Sequence, residues 1–110
     1  MDNTILIYNT VPNEETAQKI AEELVGRQLA ACVSMVPGLR SVYRWQGKVE
    51  QATEVCLMIK TTVERLEALQ AELLSLHPYT VPEIIAVPIT GGLPAYLQWI
   101  VDETASSGAK

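Results

Sequence analysis

The residues with chemistry to offer gather in one short stretch. His77-Pro78-Tyr79-Thr80-Val81-Pro82-Glu83 carries the only histidine of the chain, a phenol and a carboxylate. Pro78 and Pro82 each fix their own φ and push the preceding residue toward extended geometry. Side chains on such a segment leave in set directions. Imidazole and carboxylate are ligands that copper(II) and zinc accept readily, so His77 and Glu83 are candidate metal ligands. Each also has a plainer role. A histidine at a helix end bonds backbone carbonyls, and a carboxylate pairs with a base across an interface.

Sulfur offers a second set. Cys56 and Met58 lie two apart on an extended run and share a face, whereas Cys32 and Met35 are three apart and point opposite ways. All four sit among apolar neighbours, where free cysteine behaves as a small hydrophobe. A third set is basic. Arg40 and Arg44 share a strand face, and Lys60 closes the same hairpin region. With Tyr79 nearby they form an alternative site for a small anionic ligand in the clefts between subunits, since guanidinium groups clamp carboxylates and phosphates. The competing role is pairing with helix acids. Tyr43, Trp45, Tyr96 and Trp99 are candidate interface anchors. No catalytic signature is present. Gly91-Gly92 lacks the lysine of a phosphate loop, and neither cysteine has a histidine in a local motif. The expectation is a protein that is not an enzyme, with no obligatory cofactor.

These side chains need elements to position them. Thr4 to Val11 reads as a strand stopped by Pro12. Asn13 is a helix N-cap, with Glu14 and Glu15 where the helix dipole favours negative charge. Ala17, Ile20, Ala21, Leu24 and Val25 form the apolar face, and Gly26 supplies the stop. A strand from Ala30 to Val36 is closed by the turn pair Pro37-Gly38. Leu39 to Trp45 alternates, Gln46-Gly47-Lys48 turns tightly, and Val49 to Lys60 returns as the second arm of a long hairpin. Thr61-Thr62-Val63-Glu64 has the form of a capping box. Leu66, Leu69, Leu73 and Leu76 then stripe a second helix that ends at His77. Ile84 to Thr90 is a strand whose Pro88 points to an edge position or a bulge. Pro94 starts a final helix through Asp102. The order predicts an α+β, ferredoxin-like split βαβ fold: an antiparallel sheet with helices on one face, a long β-hairpin and an additional C-terminal helix. One domain over residues 1–105 and a frayed tail over 106–110 are expected.

Composition narrows the class. With 48% apolar and 19% charged residues the chain folds rather than staying disordered. That apolar share is high for 110 residues, and the strands are apolar on both faces. Hairpin edges also need cover. These features predict an oligomer assembled through the sheet. The net charge of -5, and the absence of Lys or Arg from Leu66 to Ala109, exclude nucleic acid and anionic membrane as expected partners. No apolar run approaches the ~20 residues of a spanning helix. Met1-Asp2-Asn3-Thr4 has no basic leader, and two cysteines without export features fit a reducing compartment.

Several spaced signatures now stand in register: Ala30-Ala31-Cys32-Val33, Pro37-Gly38, Tyr43-Arg44-Trp45-Gln46-Gly47-Lys48, Glu54, Lys60-Thr61-Thr62, His77-Pro78-Tyr79, Pro82-Glu83-Ile84 and Tyr96-Leu97-Gln98-Trp99. In this order they closely resemble the CutA family, the divalent-cation tolerance proteins, from about Ile5 to Ile100. The resemblance implies a ferredoxin-like protomer in a tight homotrimer, similar to the nitrogen-regulatory PII signal proteins. It implies a cytoplasmic protein tied to tolerance of copper and other divalent metal ions, and it carries His77 over as a metal-ligand candidate. Ligation elsewhere in the family is associated with a cysteine on the first strand and a further histidine before the His-Pro pair. Asn9 and Leu76 stand in those places here, so any bound metal is expected to be held weakly.

Overall fold

The computed structural model describes residues 3–105; the expected tail over 106–110 lies outside the described residues. Strand β1 (Thr4–Val11) is followed by helix α1 (Glu14–Gly26), strands β2 (Cys32–Trp45) and β3 (Lys48–Thr62), helix α2 (Leu66–Leu76), strand β4 (Ile84–Pro88) and helix α3 (Pro94–Glu103). The sheet runs β2-β3-β1-β4, and every pairing is antiparallel. This is the expected α+β, split βαβ arrangement, with Pro88 on an edge strand where its missing N–H is tolerated.

Local chemistry explains most boundaries. The Asn13 Oδ1 accepts the Thr16 N–H at 2.8 Å, which caps α1. The helix ends at Gly26 as expected, but the left-handed residue that closes it is Gln28, two positions on. Gln28 takes the left-handed conformation (φ 58), the Leu29 N–H bonds the Leu24 carbonyl at 2.9 Å, and the Gln28 N–H bonds that of Val25 at 3.0 Å. That is a Schellman ending with glutamine in the usual glycine place. The capping box expected at Thr61 is not formed. Thr61 has the same strand parity as Val55, Leu57 and Ile59, so it points into the core and its hydroxyl donates to the Leu29 carbonyl at 2.7 Å. A single 3-10 turn, Val63–Arg65, then leads into α2 without a side-chain cap. Strand pairing has overridden a local capping preference here.

The hairpin is longer and more continuous than the turn signal Pro37-Gly38 suggested. Val36 pairs with Cys56 and Leu39 with Glu54, so two residues of β2 oppose one of β3. Pro37-Gly38 is a bulge inside one strand, and Gly38 takes φ 82 there. At the tip Trp45 pairs with Lys48, and Gln46 and Gly47 both have positive φ (53 and 81). A two-residue turn of this kind matches the twist of the flanking strands. Pairing of β1 to β3 ends at Val11 and Val55. Beyond it, Leu39–Trp45 and Lys48–Glu54 project as a two-stranded arm, with Val42 69% and Val49 66% exposed.

Ile7, Ile20, Leu24, Leu57, Ile59, Leu69 and Leu73 form the core between the sheet and α1 and α2. The additional helix α3 lies on the opposite face. It contacts β1 and β3 and places Tyr96 beside Cys32, whose strand parity is that of Lys60 rather than of Ile59. Thr4 and Thr62, of that same parity, are buried. The rest of this second face carries Tyr8, Met58, Val36, Ile85 and Val87, the last three exposed.

Candidate functional site

The Pro-rich segment closes α2 and lies at the root of the arm. Pro78 forces His77 into extended geometry (φ -85, ψ 135), which ends the helix. Its ring then bridges two backbones. Nε2 is 2.8 Å from the Thr10 carbonyl oxygen, and Nδ1 accepts the Tyr79 N–H at 3.1 Å. A carbonyl only accepts, so Nε2 carries the proton and both nitrogens are engaged. The ring also packs on Tyr79, centroids 4.8 Å apart. His77 thus ties the end of β1 to the loop after α2.

Burial lowers the pKa of His77 below its ordinary 6.5; the Thr10 bond and the Glu54 charge oppose that shift. The folded state therefore takes up this proton less readily than the unfolded chain. The neutral ring stabilises the fold fully above about pH 6.5, and that contribution is lost as pH falls through the folded value. Melting temperature is expected to decline as pH moves from neutral to mildly acidic. The decline should be shallower in His77→Gln, and identical slopes would exclude the ring as its source.

Glu54 is only 7% exposed, and its Oε2 accepts the Tyr79 hydroxyl at 2.7 Å. Burial raises the pKa of the Tyr79 phenol, and the hydrogen bond to Glu54 and the charges of Glu54 and Tyr43 add to the rise. Tyr79 therefore remains a donor across the physiological range. The Cys56 thiol is likewise pushed up by burial and by the carboxylate of Glu83. The Glu83 backbone carbonyl accepts the Asn9 amide at 2.8 Å, while the Asn9 Oδ1 is buried without a partner. A cleft of about 580 Å³ opens between loop and arm, lined by Tyr43, Arg44, Trp45, Glu54, Tyr79 and Glu83 among others.

His77 and Glu83 were candidates for one metal, but no hydrogen bond or ion pair joins them. The carboxylate that His77 senses is that of Glu54, and Glu83 lies by Cys56. Among the described residues no three His, Cys, Asp or Glu side chains converge. The basic set is dispersed. Arg40 lines a separate shallow hollow and Arg44 the main cleft. Lys60 donates to Ser34 at 2.8 Å and Cys32 at 3.8 Å. Arg44 pairs with Val49 and Lys60 stands eleven residues further along β3, roughly 36 Å at strand rise. Within one protomer a single small anion cannot touch both. Tyr43 and Trp45 stand on the arm, while Tyr96 and Trp99 stack at 5.4 Å on α3, all substantially exposed. The Glu54–Tyr79 pair had no signal in the sequence, because 25 positions separate its members.

The family model described as CutA1 divalent ion tolerance protein matches residues 5–103. The "Divalent-cation tolerance protein CutA" of Thermus thermophilus is 50% identical over 104 residues, covering 94% of this chain and 99% of that one. The "Protein CutA, chloroplastic" of Arabidopsis thaliana is 48% identical over 101 residues, and the match spans 92% of this chain but only 56% of the plant protein. Among solved structures, CutA of Xylella fastidiosa superposes with a TM-score of 0.90 at 46% identity, covering 93% of this chain and 98% of that one.

Proposed function

This chain belongs to the CutA1 divalent ion tolerance family, and we propose that it serves divalent-cation tolerance as a homotrimeric binding protein of the cytoplasm, contacting copper or another divalent metal weakly through His77 and Glu83. The observation that carries the assembly is the second face of the sheet. Val36, Ile85 and Val87 are exposed there beside a projecting arm whose Val42 and Val49 are uncovered. An apolar face continuous with an unpaired ribbon needs cover, and further copies of the same chain supply it symmetrically. Two unpaired thiols, Cys32 and Cys56, support a reducing compartment. No described helix is long and apolar enough to cross a membrane.

Weak metal contact follows from the donors. His77 must release the Thr10 carbonyl or the Tyr79 N–H before a ring nitrogen can ligate. Glu83 supplies one carboxylate, and further donors must come from neighbouring copies. A binding role rather than catalysis is supported by the same engagement, since both His77 nitrogens and Glu54 Oε2 are already in hydrogen bonds. Calorimetric titration of copper(II) is expected to give weak, saturable heat that falls in His77→Ala and in Glu83→Gln. Heats identical to wild type in both variants would remove this loop from metal binding.

A further inference from the structure

The cleft beneath the arm holds a buried carboxylate with no ion-pair partner among the described residues. Glu54 is nine-tenths buried, yet no Lys, Arg or His lies within ion-pair distance of it among the described residues. Its Oε2 is bonded by a neutral phenol. Glu54 is itself one of the residues that line the cleft. A buried carboxylate without a counter-charge is costly, and this one lines an open cleft.

The walls specify the kind of cation. Tyr43, Trp45 and Tyr79 line the same cleft, and the phenols of Tyr43 and Tyr79 are close enough to influence one another. Aromatic faces beside a carboxylate attract ammonium groups. A compact hydrated metal ion makes no use of them and needs convergent ligands, which are absent among the described residues. Arg44 adds one guanidinium to the lining and has no ion-pair partner among the described residues. A cleft of about 580 Å³ is within the range of small-molecule sites.

We propose that this cleft binds a small zwitterion, its ammonium group seated against Glu54 among Tyr43, Trp45 and Tyr79 and its anionic end on Arg44. The site goes beyond the metal-tolerance reading and uses different ligating groups. The neutral Tyr79 hydroxyl holds the Glu54 carboxylate in place. Arg44 selects for compounds that carry an acid as well as an ammonium.

The test is calorimetric titration with glycine betaine, tetramethylammonium and the neutral-carbon analogue 3,3-dimethylbutyrate, with a chelator present throughout so that metal binding plays no part. Betaine is expected to bind saturably at millimolar concentration, and dimethylbutyrate, which lacks the positive charge, much more weakly. Glu54→Gln keeps the side-chain shape and an acceptor for Tyr79, and should weaken betaine by about tenfold or more. Arg44→Gln lies on the exposed arm and leaves the fold untouched; it should weaken betaine but not tetramethylammonium. No saturable betaine heat, equal binding of dimethylbutyrate, or unchanged betaine affinity in Arg44→Gln would each overturn the proposal. Because metal is excluded, such a failure leaves the copper titration to be judged separately.

Discussion

Ile85→Asp is expected to convert the proposed homotrimer into single chains at micromolar concentration, read by sedimentation velocity. Ile85 is on edge strand β4 and pairs with Tyr8, which pairs in turn with Met58. That row crosses the face of the sheet opposite α1 and α2, and Ile85 is 50% exposed in the protomer. In the protomer an aspartate there remains in water and costs little. Buried against another copy, an unpaired carboxylate costs about 3–5 kcal/mol. In the proposed homotrimer, symmetry would repeat that cost at every interface, which is enough to disperse a micromolar assembly. A trimer unchanged by the substitution would show that this face is not the one covered.

Leu57→Ala is expected to destabilise the fold by about 2–5 kcal/mol, the range for emptying a packed leucine site. Leu57 is fully buried, stands on central strand β3 between Asn9 and Met35, and faces the core under α1 and α2. Strands on both sides and helices above prevent the site from collapsing onto the void. Denaturant titration at fixed protein concentration checks it, since association itself adds to apparent stability. A loss below about 1 kcal/mol would mean that the core repacks freely. The neighbouring position in sequence looks the other way. Met58 belongs to the second face, so its truncation should act on association more than on folding.

That division between adjacent residues was legible in the sequence, because strand periodicity assigns Leu57 and Met58 to opposite faces without any coordinates. Element order and the Asn13 cap were legible for the same reason: each rests on signals within a few residues. Where long-range pairing competed with a local signal, the local signal misled. Thr61 and Glu64 have capping-box spacing, but the β3 ladder carries Thr61 into the core. Pro37-Gly38 has turn composition, but Cys56 and Glu54 hold the strand in register on both sides of it. The site was legible only as a segment. His77, Tyr79 and Glu83 were found through the prolines around them. Their partners Thr10, Glu54 and Asn9 come from other strands and left no mark in spacing.

The bulge at Pro37-Gly38 has a mechanical meaning. It sits where the ribbon leaves the body of the protein, and from Leu39 to Trp45 seven residues extend beyond it, roughly 23 Å of lever. A rotation of about 10° at that pivot swings the far end by about 4 Å over such a length, a whole side chain's width. The position of the Trp45 indole at the wall of the cleft therefore depends on the Gly38 torsion at the opposite end of the arm.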